Sequence, residues 1–313
     1  MKKILILGGC GYVGSMLTSN LLNQGFKIRV IDAQWFGKNL RNNKNLKIIK
    51  KDIRNLKSSD FKNIDVVIHL ANIANDPAVD LNPTLSWEVN VLSTKIICDL
   101  AVKNKVKKII YASSGSVYGV KKEKKVHESL DLVPISIYNK TKMVAERILL
   151  SYKNVIDIIC VRPATVCGIS PRMRLDVSVN MLTYQALENK LITVFGGRQF
   201  RPSIHIKDLT NLLKFFTIKK VPSGCYNAGF ENISIMDIAK KIKYYIPCKI
   251  KVSKSNDMRS YRLDSSKLIK IGFKPKFGIE DAIKEIIFIY NKKKFRAKDL
   301  NYTVKSMLKS NIK

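Results

Sequence analysis

Between residues 8 and 14 the chain reads Gly8-Gly9-Cys10-Gly11-Tyr12-Val13-Gly14, and this cluster restricts what can stand on either side of it. An apolar run at residues 3–7 precedes it, and a segment of helical periodicity at residues 11–24 follows. The spacing satisfies Gly-x-x-Gly-x-x-Gly at 8, 11 and 14 and Gly-x-Gly-x-x-Gly at 9, 11 and 14. Glycines at those places allow a tight turn, close approach of the backbone to a pyrophosphate, and close packing of helix on strand. The helix N-terminus adds free N–H groups and a partial positive charge. Gly8, Gly11, Tyr12, Val13 and Gly14 therefore read as a phosphate-binding turn. Asp32 ends the next strand, 18 residues after Gly14. A carboxylate there accepts hydrogen bonds from ribose hydroxyls and repels a 2′-phosphate, which favours NAD over NADP.

Strand-like runs at 3–7, 27–31, 46–50, 65–70, 107–112 and 156–161 alternate with helical patterns at 11–24, 85–104 and 138–152. Near-continuous apolar strands suit a parallel sheet covered on both faces, and the alternation predicts an α/β, doubly wound fold. After about residue 165 the rhythm breaks at Pro163, Gly168 and Pro171. Helices at 177–189 and 234–245 and a strand at 191–195 then suggest a smaller α/β lobe. We expect a cofactor-binding domain over 1–165 and a mainly substrate-binding lobe over 166–313, some segments of which return to the first domain.

Apolar residues at 46% and charged residues at 26% exclude a disordered chain. No apolar run approaches the roughly 20 residues of a bilayer span. Only four apolar residues, Ile4-Leu5-Ile6-Leu7, precede the glycines, which predicts the first strand of a cytoplasmic protein rather than a signal peptide. The six cysteines (Cys10, Cys98, Cys160, Cys167, Cys225, Cys248) form no CxxC pair, and the three histidines lie far apart, so no metal site is expected. The formal charge of +33 is spread along the chain. Runs such as Lys121-Lys122-Glu123-Lys124-Lys125 look like solvated loops. No nucleic-acid partner is expected; a weak contact with an anionic membrane or partner stays open, and an anionic substrate suits the field.

Four tyrosines have a lysine four places on: Tyr118, Tyr138, Tyr245 and Tyr290. Glycine follows Tyr118, Pro247 interrupts the Tyr245 pair, and Tyr290 lies in the basic C-terminal region. Tyr138 and Lys142 alone open an amphipathic helix between the fifth and sixth strands, where i and i+4 share a face. A nearby cation favours a phenolate, so Tyr138 reads as a base and Lys142 as its partner.

These stretches, with Lys51-Asp52-Ile53-Arg54, His69-Leu70-Ala71-Asn72, Asn90, Ser113-Ser114-Gly115-Ser116-Val117-Tyr118-Gly119, Arg162-Pro163 and Arg201-Pro202-Ser203-Ile204-His205, run in one order across most of the chain. The chain resembles an extended short-chain dehydrogenase/reductase of the NAD-dependent nucleotide-sugar epimerase/dehydratase branch, similar to UDP-glucose 4-epimerase. The resemblance implies a Rossmann domain with NAD, in which Asp52 and Ile53 flank the adenine and Leu70 and Ala71 line the groove. Asn90, Pro163, Tyr138 and Lys142 are further implied cofactor contacts. It implies that Ser114 orients the reacting oxygen, that Asn72 and Ser116 face the sugar nucleotide, and that Arg201 meets its diphosphate. Arg172 and Arg174 read either as further diphosphate contacts or as solvated loop cations, and Arg259 is another phosphate partner. Thr165 stands where many relatives have a substrate-contacting asparagine. Ser170-Pro171-Arg172-Met173-Arg174-Leu175-Asp176 resembles a branch acting on GDP-heptose-type sugars.

The resemblance also implies a homodimer through the helices at 85–104 and 138–152. Its dehydratases carry Asp-Glu directly after the catalytic Ser/Thr, where this chain has Gly115 and Ser116. A 4-epimerase is therefore expected. The alternatives are a 4-dehydrogenase, 4-reductase or 4,6-dehydratase of the same fold, or a non-catalytic protein that binds NAD and a partner.

Overall fold

Alternate residues of the first strand, β1 (Lys3–Leu7), point to opposite faces, and Ile4 to Leu7 are buried. Ile4 and Ile6 enter one core with Leu17, Val30, Ile68 and Phe216, while Leu5 and Leu7 enter a second with Ile31, Val67, Ile97 and Leu149. Two cores on one strand require helices on both faces. The computed structural model, which describes residues 2–254, 260–293, 295–310 and 312, has that arrangement. Beside β1 lie β2 (Lys27–Asp32), β3 (Leu46–Lys50), β4 (Val66–His69), β5 (Lys108–Ala112) and β6 (Asp157–Pro163). With β10 (Gly224–Ala228) they form a parallel seven-stranded sheet of order β10-β6-β5-β4-β1-β2-β3. The order reverses between β1 and β4, and the crevice beyond their carboxyl ends is the ligand-binding place of such sheets.

Strand β10 lies outside the sequence expectation. Gly224-Cys225-Tyr226-Asn227-Ala228 has no apolar run; its pairing with β6, Cys225 against Cys160, places it at the sheet edge. The helices Ile206–Ile218 and Ile279–Asn291 were likewise not expected, although the buried Ile206, Leu209, Leu212, Leu213 and Phe216 follow a helical spacing. The single helix expected over 85–104 is instead two helices, Pro83–Trp87 and Ser93–Lys103, joined by a wide π-type turn at Glu88–Leu92.

The later part of the chain builds a second layer. There β7 (Thr165–Cys167) pairs parallel with β9 (Phe200–His205), which pairs antiparallel with β11 (Glu231–Ser234). Strand β8 (Leu191–Phe195) pairs with β12 (Lys249–Ser253). A third core, including Leu182, Ala186, Ile238 and Ile283, joins the helices Ser178–Asn189, Ile235–Tyr245 and Ile279–Asn291. The C-terminal helix Thr303–Lys309 leaves this layer and buries Met307 in the Rossmann core that holds Leu5 and Leu7. Among the described residues no helix is long and apolar enough to cross a membrane, and no cluster of metal-ligating side chains occurs.

Candidate active site

The glycine turn is built to carry no side chains. A Cβ on Gly14 would lie 2.1 Å from the carbonyl oxygen of Gly8, and one on Gly8, which has φ +84°, would meet the Ala71 backbone at 2.5 Å. Gly11 differs, because a Cβ there would meet only Gly8 O, at 3.5 Å. It caps the helix Tyr12–Leu22 and faces a crevice lined by Gly8, Asp32, Ala33, Trp35, Phe36, Asp52, Ile53, Leu70, Ala71 and Asn72. The open approach at Gly11, the helix N-terminus and an apolar slot beside Asp32 suit a dinucleotide with an anionic centre.

Asp32 accepts the N–H groups of Cys10 at 2.8 Å and Gln34 at 2.6 Å, one on each carboxylate oxygen. Burial pushes its pKa up while these two bonds pull it down, and burial wins. Each oxygen keeps a lone pair for a further donor. Asp52 accepts Arg54 N–H and pairs with its guanidinium at 2.9 Å. Trp35 and Phe36 are wall residues absent from the sequence expectation. They stand three and four residues after Asp32, and nothing in that stretch except its two aromatics signals a slot for a planar ring.

Four expected contacts lie outside the lining of this crevice. Asn90 is fully buried in the wide turn; it accepts Ile73 N–H at 2.9 Å and donates to Ile73 O and Thr141 Oγ1 at 3.1 Å each. It ties the strand-end loop carrying Ala71 and Asn72 to the helix Ile137–Ser151. Tyr12 donates to Gly168 O at 2.7 Å and accepts from Asn180, which locks the glycine turn to the second layer. Val13 is half-buried and packs on the first core, and Pro163 ends β6.

On the other side of the crevice β5 ends at Ala112, and Ser114 caps the short turn Gly115–Tyr118. The helix Ile137–Ser151, capped by Ser136, brings Tyr138 and Lys142 opposite that turn. Lys142 Nζ donates to Ala112 O at 2.7 Å and lies 4.8 Å from the Tyr111 ring centre and 5.9 Å from that of Tyr138. Burial depresses Lys142 to about 7, against the pull of Glu146. The Tyr138 phenol moves the other way from the sequence expectation. Burial pushes it up to about 12, while the hydrogen bond with Ser114 and the charge of Arg174 pull it down. Desolvation of the phenolate thus outweighs nearby positive charge.

Among the described Tyr-x-x-x-Lys pairs, Tyr138 and Lys142 are the one set beside the end of β5, where Lys142 is bonded to Ala112 O. Tyr118 is buried, donating to Asn227 at 2.8 Å and accepting from Arg162, which is itself paired to buried Glu146 at 2.7 Å. Tyr245 is bonded to Glu280 on the far layer, and Lys294, the partner of Tyr290, lies outside the described residues.

Ser116 Oγ lies 2.7 Å from Ser114 Oγ and donates to Asn139 Oδ1 at 2.5 Å. Asn72 accepts from Tyr111 at 3.4 Å, and its Nδ2 is a buried donor without a partner. Thr165 opens β7, and Arg201 sits half-buried on β9 opposite Ile233. Neither Arg172 nor Arg174 is a solvated loop cation. Arg172 is 4% exposed with its guanidinium 4.3 Å from the Phe36 ring centre. Arg174 pairs with Asp176 at 2.8 Å and directs its charge at Tyr138. Arg259 lies outside the described residues.

Comparisons with known proteins agree with this layout. A model of the NAD-dependent epimerase/dehydratase family matches residues 4–229. A putative UDP-glucose 4-epimerase of Methanocaldococcus jannaschii is 27% identical over 298 residues, 91% of this chain and 97% of that one. The UDP-glucuronic acid 4-epimerase of Bacillus cereus, solved with UDP-glucuronic acid and NAD, superposes with a TM-score of 0.82 at 29% identity, covering 93% of this chain and 99% of that one. A dTDP-glucose 4,6-dehydratase of Streptomyces venezuelae, with NAD bound, shares the fold at a TM-score of 0.84 and 17% identity over 93% of this chain and 98% of that one. The chain is an enzyme of the NAD-dependent epimerase/dehydratase family, whose members act on nucleotide sugars.

Proposed function

We propose that this enzyme is a nucleotide-sugar 4-epimerase. The observation that carries the choice is the polar turn after β5. Gly115 has no side chain, and Ser116 is a neutral hydroxyl already bonded to Ser114 and Asn139. A 4,6-dehydratase must remove the C5 proton and protonate the departing C6 hydroxyl, and neither residue exchanges protons near neutral pH. Asp76, whose charge reaches Tyr138, is tied to Ser136 at 2.5 Å.

NAD would be held by the glycine turn, Asp32 and the Asp52–Ile53 and Leu70–Ala71 walls, with Lys142 at its nicotinamide ribose. When bound, it supplies a hydride acceptor that can return the hydride and a positive ring beside Tyr138. Tyr138 takes the proton from the sugar C4 hydroxyl and later gives it back, and Ser114 hydrogen-bonds the same oxygen. Lys142, pinned by Ala112 O, keeps a cation near the phenol once a phenolate forms. Asn72, Ser116 and Thr165 face the sugar nucleotide, and Arg201 meets its diphosphate, with Arg174 lending positive charge. The enzyme would be a cytoplasmic homodimer. Free cysteines suit a reducing compartment, and Leu92 and Ile96 are exposed along the segments 83–103 that the dimer would cover.

The test is a panel of UDP-, GDP- and dTDP-sugars incubated in heavy water, with product NMR. An epimerase gives the C4 epimer with its C4 hydrogen retained and no deuterium at C5 or C6. A 4-keto-6-deoxy product carrying solvent deuterium at C5 would overturn the assignment. Mass spectrometry of the denatured supernatant should find NAD(H), because an epimerase regenerates its cofactor in each cycle.

A further inference from the structure

The loop after β7 carries two guanidinium groups and one carboxylate. Arg174 takes that carboxylate, Asp176, at 2.8 Å, and its charge reaches Tyr138. Arg172 is left without an ion pair among the described residues. It is 4% exposed, and its Nε has no partner. Its side chain makes one long hydrogen bond there, 3.4 Å from a terminal nitrogen to Thr303 Oγ1. Burial and the charge of Arg174 pull its pKa down to about 10, against the pull of Asp176, so it stays charged at neutral pH. The loop therefore holds surplus positive charge in the interior. A buried charge without a counter-ion is destabilising, and an apolar side chain of similar length would pack there without the penalty.

Its surroundings show where a counter-ion would stand. The Arg172 backbone N–H donates to Ser15 Oγ at 3.4 Å, and the Ser170 hydroxyl donates to Tyr12 O at 2.6 Å. Both acceptors belong to the first turn of the helix Tyr12–Leu22, directly after the glycine turn. The guanidinium stacks on Phe36, 4.3 Å from the ring centre, and Phe36 lines the crevice together with Gly8 and Gly11. The ring that carries the cation is thus itself part of the crevice wall. An anion in front of this helix gains from free N–H groups, from the helix dipole and from Arg172 at once.

Resting on the proposed placement of NAD at the glycine turn, we infer that Arg172 is the counter-charge of the dinucleotide's pyrophosphate and not a contact of the sugar nucleotide's diphosphate. The loop then divides its cations. Arg174 serves the end of the crevice where Tyr138 stands, and Arg172 serves the cofactor end. The surplus charge destabilises the free protein and is neutralised in the loaded one. The charged and titratable groups that face Arg172 are Arg174, Asp176 and Tyr12. All three remain in the Arg172 variants below.

The experiment measures calorimetric affinities of the full-length protein, washed free of nucleotide, for adenosine, ADP-ribose and NAD. Arg172→Met keeps the length of the side chain and removes its charge. It should weaken ADP-ribose and NAD about five- to thirtyfold, the size of one partly screened charge interaction, and leave adenosine within about twofold. Arg172→Lys keeps the charge and should hold ADP-ribose within about threefold of wild type. Without ligand, Arg172→Met should melt no lower than wild type, and its gain in thermal midpoint on adding NAD should be smaller. UDP binding to the NAD-saturated variant should match wild type.

Unchanged affinity for ADP-ribose would overturn the inference, as would a loss for UDP with ADP-ribose binding kept. A free variant that melts lower and loses all three ligands alike would mark Arg172 as a packing residue and overturn it too. Asp32→Ala is measured alongside. If it leaves adenosine and NAD unchanged, the cofactor lies elsewhere and the placement beneath the inference falls. If it weakens both while Arg172→Met is silent, the inference alone falls. Failure of every sugar in the nucleotide-sugar panel would count against the epimerase and leave this result standing.

Discussion

Two tyrosines that share a motif separate clearly once their surroundings are compared. Tyr138 stands at the crevice beside Ser114, so Tyr138→Phe should lower kcat by about 10²–10⁴-fold, the range for a positioned acid–base group, with sugar-nucleotide affinity nearly kept. Steady-state kinetics with calorimetric binding checks this. Tyr118→Phe should show the reverse. It deprives buried Arg162 and Asn227 of a partner, so it should cost about 1–3 kcal/mol in urea unfolding with turnover little changed. Asp32→Ala should weaken NAD binding by about 1–3 kcal/mol and raise the affinity for NADP relative to NAD, by calorimetry with both cofactors. These residues were legible in the sequence because their chemistry depends on short spacings: a glycine period, a strand-end acid, a tyrosine and lysine one helical turn apart. Trp35 and Phe36 were not, since each matters through what the fold sets opposite it. The upward push on Tyr138 was not legible for a related reason, as neighbouring charge can be read from spacing whereas desolvation cannot.

Backbone conformation and loop ties decide most of what happens at the level of elements. Gly14 lets the first helix press onto the turn before it, and a methyl group there would overlap Gly8 O. Gly14→Ala should therefore destabilise the protein by at least about 1–3 kcal/mol, the usual penalty for overpacking, and should weaken NAD binding as the turn shifts. Urea unfolding with and without NAD measures both effects. The loop at residues 172–176 is held to the C-terminal helix by Asp176, which accepts Thr303 N–H at 3.0 Å while pairing with Arg174. Burial opposes ionisation of Asp176, yet Arg174 and Thr303 together hold its pKa at about 2. Because the folded value lies below the unfolded value of about 4, the stabilisation is complete above about pH 4 and is lost as the pH falls through about 2. The stability gap between wild type and Asp176→Asn should thus be roughly 2 kcal/mol larger at about pH 6 than at about pH 2. The wide turn at Glu88–Leu92 was hidden from the sequence, because residues 85–104 keep an apolar period on either side of it. The need to aim Asn90 at Ile73 is a tertiary one.

Across the whole molecule, the segment that ends the described chain joins its two layers. Asn301 donates to Met173 O, Ser306 donates to Trp35 O on the crevice rim, and Met307 is 1% exposed in the Rossmann core. Met307→Ala should cost about 2–5 kcal/mol, as for other large core deletions, and should lower the thermal midpoint of the cofactor-binding layer together with the rest. Calorimetry would show one transition moving rather than a new one appearing. The distance in sequence between β1 and Met307 also bears on how the protein is made. A ribosome releases the chain from its N-terminus, so β1 to β6 emerge while the edge strand β10 and the Met307 plug are still untranslated. During that interval the sheet presents an unpaired β6 edge and an open patch beside Leu5 and Leu7, surfaces of the kind that trigger factors and other chaperones grip. Completion of this core waits on the synthesis of residues 224–307, and its yield in a cell depends on how long the nascent chain is shielded.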